Sequence, residues 1–333
     1  RSLGAAVEGD DDDITVIAVD AAANAQQSVG AFASIATSGG EAVIAYQANG
    51  VSAAVGYVSE LRLARASNPA SNNWTVSTLS SGAQTCAGLC AGGAECVVGA
   101  AAGEPESCQV ATADCASACG EDQQCVTGVC RDIVPAVNYA QLPYGVGMFA
   151  NALVLSDGRI AVVSYDAVRT ALVLHVESGA GSGTFTETLL DGADGSDRGM
   201  WASAVSDGTT IHVAYQDALG DQLMYTTWSG TAGTPVVVDD GVRAGDRPHP
   251  VGGGATIYLT ASGPHIAYQD AFTGDVLVAT SAGGWAFTTF AEGNVIDGFH
   301  MAAAGNGGAS WLAWHSFDRS RALIEALTVV PAP

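Results

Sequence analysis

The residues of this chain best suited to chemistry are aspartates, histidines and methionines that recur at matched places. Asp166, Asp217 and Asp270 sit near the end of segments of one type, AVVSYDA, IHVAYQDA and PHIAYQDA, and Asp318 ends a degenerate copy, SWLAWHSFD. Asp197, Asp246 and Asp297 stand ahead of the next apolar runs, and Arg198 and Arg247 directly follow two of them. Carboxylates offered at regular intervals suit calcium, which takes roughly six to eight oxygens, or glycosidic chemistry, which uses a pair of facing carboxyls. An Asp in such a place also caps its own turn. The two arginines suit a ligand carboxylate or sulfate, or an acid in the same loop. Aligning GAFAS, GMFAN, GMWAS, PHPVG and FHMAA puts Ala31, Met148, Met200, His249 and His300 at one position. Thioethers and imidazoles together suit a soft or borderline ion such as copper. As packing, the same side chains would plug a channel, since methionine fills irregular gaps. The alignment sends Phe32, Phe149, Trp201, Pro250 and Met301 between neighbouring units. It leaves Ala33, Ala150, Ala202, Val251 and Ala302 near an axis, and a slip of one residue would reverse these directions.

Nucleophile and phosphate motifs are missing: there is no Gly-x-Ser-x-Gly elbow, phosphate-binding loop or His-Glu-x-x-His. The eight cysteines are Cys86, Cys90, Cys96, Cys108, Cys115, Cys119, Cys125 and Cys130. TCAGLCAGGAEC and DCASACGEDQQC share the spacing C-x3-C-x5-C, which divides them into half-modules at 86–108 and 115–130. An even count crowded into one segment reads as a disulfide framework made in an oxidising compartment. Structural zinc is the weaker reading, because the segment has no C-x2-C pair and no histidine. Which cysteine pairs with which within a half-module stays open.

Charge narrows the partners. The chain has 34 acidic residues against 11 basic ones, and its 11 bases are all arginine. Nucleic acid and anionic membrane surfaces need a basic footprint that is absent here. Cations, metal ions and neutral ligands fit better. With no apolar run long enough to span a bilayer, membrane insertion is not expected. The start, RSLGAAVEGDDDD, reads as a processed or trimmed terminus rather than a signal peptide.

The elements that must position these residues follow from the repeat. Tyr46, Tyr165, Tyr215, Tyr268 and Trp314 mark its copies, and the last four lie 50, 53 and 46 residues apart. Each copy divides into four short strands, as in GMWASAVS, TTIHVAYQD, DQLMYTTWS and TPVVVDDG, with Gly and Asp at the turns. Four strands at that period make a propeller blade. The expectation is an all-β, five-bladed β-propeller with blades near 28–81, 145–192, 196–242, 246–293 and 297–330. The fifth blade runs out of chain before its outer strand, so Ile14–Asp20 is expected to complete it and close the ring. The domain reading is a closing strand plus first blade over 14–81, a disulfide-rich insert over 82–137, and blades two to five over 138–330.

The four-strand repeat with its hIAYQD segment resembles β-propeller repeat proteins over about 280 residues, without a Gly-His…Trp-Asp signature. The segment DCASACGEDQQCVTGVC resembles short cysteine-rich repeats in secreted proteins of social Gram-negative bacteria, which implies a secreted or cell-surface location. The expected function is a non-catalytic binding or scaffold module. Its ligand, a glycan, a metal ion such as calcium or copper, or a partner protein, would sit at the channel mouth. The alternatives are a carbohydrate-active enzyme using Asp residues of that face, and a self-assembling structural subunit.

Overall fold

The computed structural model describes residues 17–23, 27–38, 40–52, 56–70, 73–86, 90–100, 106–134, 145–292, 296–305, 310–318 and 323–331. Strands β1 (Gln27–Ser38), β2 (Glu41–Ser52), β3 (Gly56–Ala66) and β4 (Thr75–Thr85) form the first sheet in that order. The second holds β9 (Met148–Val154), β10 (Ile160–Asp166), β11 (Ala171–Glu177) and β12 (Phe185–Gly192). The third holds β13 (Arg198–Ser206), β14 (Ile211–Asp217), β15 (Gln222–Trp228) and β16 (Val236–Asp239). The fourth holds β17 (Val251–Thr260), β18 (Gly263–Asp270), β19 (Asp275–Thr280) and β20 (Ala286–Ala291). The fifth has three described strands, β21 (Ile296–Gly305), β22 (Ser310–Asp318) and β23 (Leu323–Pro331).

All neighbours within a sheet are antiparallel, as strands joined by short hairpins must be. The first strands pack in chain order, β1 on β9, β9 on β13, β13 on β17 and β17 on β21, and all five line one axial cavity. This is the five-bladed propeller expected from the repeat. Apolar residues on facing blade surfaces make the core, exemplified by Leu223, Val251, Ile266 and Tyr268 between blades three and four. Strands β10 and β11 are buried along their whole length, so they lack the polar alternation of a half-exposed strand.

The recurring motif proves to be a set of clasps between blades. The Gln position reaches forward: Gln47 Nε2 donates to Val146 O at 2.8 Å, Gln216 Nε2 to Val251 O at 2.9 Å, and Gln269 Nε2 to Asp297 O at 2.5 Å. In blade two Tyr165 holds this place, as its pairing with Met148 shows, and its hydroxyl donates to Asp197 at 2.6 Å. Tyr165 is thus one position off the other marker tyrosines. The Tyr position reaches back: Tyr215 donates to Asp191 at 2.5 Å and Tyr268 to Asp239 at 2.7 Å, each acceptor ending the preceding blade. A third set ties the inner strands: the N–H groups of Ala152, Ala204, Ile257 and Ala303 donate to Ser34, Asn151, Ser203 and Thr256 at 3.1–3.2 Å.

Of the expected closing strand, 14–16 lie outside the described residues, and 17–20 are in no described ladder. Asp20 nevertheless does what Asp191 and Asp239 do. It accepts from the Tyr46 hydroxyl at 2.7 Å and pairs with Arg62 at 2.8 Å. Asp20 therefore gives blade one the acceptor that Asp191 and Asp239 give blades three and four.

Strand β4 continues to Thr85, and the cysteine-rich segment begins at Cys86. It holds two small hairpins, β5 (Ala94–Val97) with β6 (Ser107–Val110) and β7 (Gln123–Val126) with β8 (Val129–Asp132). All eight cysteines are oxidised: Cys86–Cys96, Cys90–Cys108, Cys115–Cys125 and Cys119–Cys130. Each half-module joins its first cysteine to its third and its second to its fourth, and no bond crosses between halves. Backbone bonds from Val98 N to Asp132 O and from Val134 N to Cys96 O join the two halves.

Candidate functional site

The aspartates that follow the second strands are turn caps. Asp166 Oδ1 accepts from the N–H groups of Val168 and Arg169, at 2.9 and 3.1 Å. Asp217 does the same for Leu219 and Gly220, and Asp270 for Phe272 and Thr273, at 3.0–3.2 Å. All three are buried. Their second oxygens go to neighbours: Asp166 to Arg169 at 2.6 Å, Asp217 to Arg198 at 3.1 Å, and Asp270 to His249 Nδ1 at 2.6 Å. The loop aspartates are also engaged. Asp197 takes Tyr165, and Asp297 takes Trp314 Nε1 at 2.9 Å together with the Ser316 hydroxyl. Asp246, the most exposed of the set, accepts from Arg247 N at 2.7 Å and faces His249 Nε2 at 3.5 Å. Arg247 lies over the Phe272 ring, 4.0 Å from its centroid. The side chain of Asp318 lies outside the described residues. Among the described residues these carboxylates do not converge on one point. The groupings close enough to share an ion consist of cysteines already in disulfides, one with Asp114.

The Met and His set is not brought together either. Bulges decide where these side chains go. In β1, β9, β13, β17 and β21 the ladder skips just before the clasp residue. The residue two places before each clasp is left-handed: Phe32 (φ 52°), Phe149 (φ 51°), Trp201 (φ 54°) and Gly254 (φ 62°). In blade five it is His300 (φ 50°), two places before Ala302. His300 therefore matches Trp201, one place away from the sequence alignment, and Gly254 takes the place given to Pro250. His249 precedes the strand altogether. It is held in a loop by Asp270, with its ring 4.5 Å from Phe272. Met148 is buried beside Tyr165, and Met200 pairs with Gln216. Of the four, only His300 lines the axial cavity.

The bulges re-aim one ring toward the axis in four of the five blades, Gly254 holding the place in blade four, as bulges re-aim side chains. Phe32 meets Phe149 at 4.8 Å between centroids, Phe149 meets Trp201 at 4.9 Å, and Trp201 meets His300 at 6.4 Å. The expectation that the bulky set packs between blades is corrected for Phe32, Phe149 and Trp201, whose rings touch one another around the channel, while Met301 does join the core shared by blades three to five. The expected small set does line it, with Ala33, Ala150, Ala202 and Ala302 on the wall and Ala255 in blade four. Together they bound a cavity of about 560 Å³. Its polar lining is the clasp set, Ser34, Asn151, Ser203 and Thr256, with His300, and no carboxylate is among the described lining residues. Left-handed backbone at a bulky residue costs on the order of 1 kcal/mol or more and persists where the surroundings impose it. The sequence signal was the aromatic in GAF, GMF and GMW; what hid it was the bulge, which a straight-strand alignment cannot show.

Electrostatics around the clasps is strongly polarised. Burial, then the bonds to Asp191 and Asp239, holds the Tyr215 and Tyr268 phenols well above their ordinary range. Burial works to raise Asp239, but Arg243 and Tyr268 outweigh it and leave its carboxyl below the usual value. Asp246 is also lowered, first by the Arg247 N–H and then by His249.

No protein-family profile matches the chain, and neither does any curated protein sequence. Among solved structures, it is similar to the α-L-arabinofuranosidase of Podospora anserina in complex with cellotriose, at 11% identity and a TM-score of 0.43, covering 95% of this chain and 94% of that one. An exo-1,5-α-L-arabinanase from a bovine ruminal metagenomic library shares 9% identity at a TM-score of 0.41, covering 92% of this chain and 94% of that one. The native arabinanase of Bacillus subtilis shares 10% at a TM-score of 0.38, covering 91% and 94%.

Proposed function

We propose that this protein is a secreted or cell-surface binding module whose ligand occupies the axial cavity against Phe32, Phe149, Trp201 and His300. One observation carries the reading. Every inner strand is bulged at the same place, and four of the five use that strained position to turn a ring toward the axis. Strain repeated at equivalent positions points to use rather than accident. Aromatic faces with a few amide and hydroxyl groups suit a neutral glycan, whose C–H faces stack on rings. The strongly acidic surface and the disulfide-bonded insert fit an oxidising, extracellular setting. Among the described residues no helix is long and apolar enough to cross a membrane.

The second reading is a carbohydrate-active enzyme working on the same face. Asp246 favours it: an exposed, lowered carboxylate backed by His249, which Asp270 orients in turn. Such a group serves as base or nucleophile and needs a second carboxyl as acid.

The test is a glycan array followed by tryptophan-fluorescence titration, with product analysis on arabinan, xylotriose, cellotriose and β-1,3-galactotriose. Binding without cleavage, weakened about tenfold or more by Trp201→Ala, supports the module. His300→Ala should weaken it too, and His249→Ala should not. Cleavage lost in Asp246→Asn supports the enzyme. A Trp201→Ala protein that binds every positive glycan like the parent overturns the axial site.

A further inference from the structure

The axial cavity has a direction, set by the first strands that line it. They start at the face of the capped turns: the N–H groups of Ala167, Ala218 and Ala271 donate to Gly145 O, Asp197 O and Pro250 O, just ahead of β9, β13 and β17, at 2.8–2.9 Å. They run to hairpins at the opposite face, where Ser38 pairs with Glu41, Val154 with Ile160, Ser206 with Ile211 and Thr260 with Gly263. Along this direction the described lining residues are 32–34, 149–151, 201–205, 254–257 and 300–303. Each stretch begins at the left-handed position and extends only toward the hairpins. Ala31, Met148, Met200, Gly253 and Phe299, one place nearer the capped turns, are not among the described lining residues. The rings of Phe32, Phe149, Trp201 and His300 are therefore the end wall of the cavity.

That wall is nearly closed. Centroids 4.8 and 4.9 Å apart on neighbouring blades lie about 4 Å from a five-fold axis, a space that contacting rings fill with their own thickness. Trp201 and His300, two blades apart, would stand about 8 Å from each other in a regular ring, but they stand at 6.4 Å, drawn in across the gap that Gly254 leaves. His300 is backed by His315, which holds the Gln position of blade five, at 6.5 Å. On the hairpin side the lining is small and open: Ala33 and Ala302 are exposed, and Ile35, further along β1, is 63% exposed.

We propose that the axial cavity is a blind pocket entered from the hairpin face, and that it takes the end of a neutral glycan chain rather than a stretch threaded along the axis. The glycan rests on the binding reading above; the direction of entry rests on the strands alone. At about 560 Å³ the pocket has the size of a small-ligand site, roughly 300–1,000 Å³. A chain that meets a wall of rings enters by an end, and its terminal sugar stacks on Trp201 and its neighbours. The same geometry counts against the enzyme reading, because Asp246 stands in the connection from β16 to β17, on the closed side.

The experiment uses the whole chain and tests the two parts separately. Ala255→Cys places a thiol in the cavity wall, and dithionitrobenzoate reports its exposure; the native cysteines are all bonded. Ala302→Trp then fills the hairpin side, at a lining position where blade five has no clasp to match Ser34, Asn151, Ser203 and Thr256. Gly253→Trp fills the other side, at the place of Met148 and Met200, with nothing within 4 Å of the added Cβ. Given the bulk of tryptophan, Ala302→Trp should slow labelling about tenfold, and Gly253→Trp by less than about twofold. Trp201→Ala should open the wall, and in that background Gly253→Trp should slow labelling as well. Labelling slowed by Gly253→Trp with all rings in place, or indifferent to Ala302→Trp, overturns the blind pocket. If Ala302→Trp fails to fold, the two Gly253→Trp rates decide alone. For the ligand, long and short arabinan fractions, xylotriose and cellotriose are titrated. Binding that follows the number of chain ends supports terminal recognition, and binding that follows sugar mass overturns it. If none of these binds, the chain-end claim falls with the glycan reading, while the labelling rates still decide the direction of entry.

Discussion

Asp239 is the place where one substitution should expose the logic of the ring most directly. Its side chain is fully buried at the seam between blades three and four. It accepts the Tyr268 hydroxyl at 2.7 Å, two Arg243 N–H groups at 2.9 and 2.8 Å, and Gly241 N at 2.9 Å. Asp239→Ala leaves the phenol buried without an acceptor and Arg243 with Asp270 at 3.5 Å as its remaining carboxylate, besides Val242 O at 3.3 Å and the Phe287 ring. Breaking a buried pair costs about 3–5 kcal/mol. Arg243 is 18% exposed and can rehydrate in part, so the lower end applies, about 3 kcal/mol. Tyr268→Phe removes a single bond to a charged acceptor, about 1.5–2 kcal/mol. In a chain of this size 1 kcal/mol moves Tm by roughly 2 °C, which gives shifts of about 6 °C and 3–4 °C. The double variant should lose about 1.5 kcal/mol less than the sum, because the two share one bond. Calorimetry and urea midpoints read all three. An Asp239→Ala shift under about 2 °C, or strict additivity in the double variant, would refute the clasp as a stabilising contact.

Further outcomes follow from other sites. Reduction should unfold the insert and leave the propeller's Tm within about 2 °C, since no cysteine lies in a blade core; far-UV circular dichroism with and without reductant checks it. Gly199→Ala should cost about 2 kcal/mol or more, because φ is +116° and a Cβ would stand 3.0 Å from the Tyr165 ring and 3.1 Å from Leu172 Cα. Gly283→Ala, at φ +79° with open space around it, should cost only about 1 kcal/mol. Stability should fall at both ends of the pH scale. Glu187 is lowered by Arg169, while in Asp20, Glu177 and Asp239 hydrogen bonds override the upward pull of burial. Those contributions are full above the unfolded value near about 4 and are lost as pH drops through the folded ones. His175, lowered by burial, begins the decline below about 6.5, and the raised Tyr215 and Tyr268 withdraw support above about pH 10. A Tm that stays flat from pH 3 to 11 would contradict the assignment.

The fold was legible because the period of the repeat and the Gly and Asp turns are local signals. The disulfide halves were legible from their repeated spacing. The capping role of Asp166, Asp217 and Asp270 was also readable, since an Asp after a strand bonds the next turn wherever the strand sits. The channel lining was not. Its residues sit at bulges, and a bulge adds one residue without marking it in the sequence. In blade four the shift is larger, because PHP lies in a loop and β17 starts only at Val251. His249 therefore left the alignment by four positions, counted against Gly253, which pairs with Gln269 as Met200 pairs with Gln216. The clasps were hidden for another reason: they join blades, and spacing within one repeat carries no information about what the next repeat presents.

The repeated motif therefore accounts for architecture and leaves recognition to what varies. Tyr, Gln and Asp recur because each blade must bond the one before it, the one after it and its own turn. Where a position departs from the pattern, the physical demand has been relaxed or redirected. Ser164 stands where Tyr215 and Tyr268 stand, and its partner position in blade one, paired with Leu61, is Ser80 rather than an aspartate; the two losses match. Ala302 and His315 depart together at one seam, and His300 replaces an aromatic hydrocarbon ring beside them. His300 and Ala302 both line the cavity, so blade five changes the lining within the same short stretch of strand in which it drops the clasp.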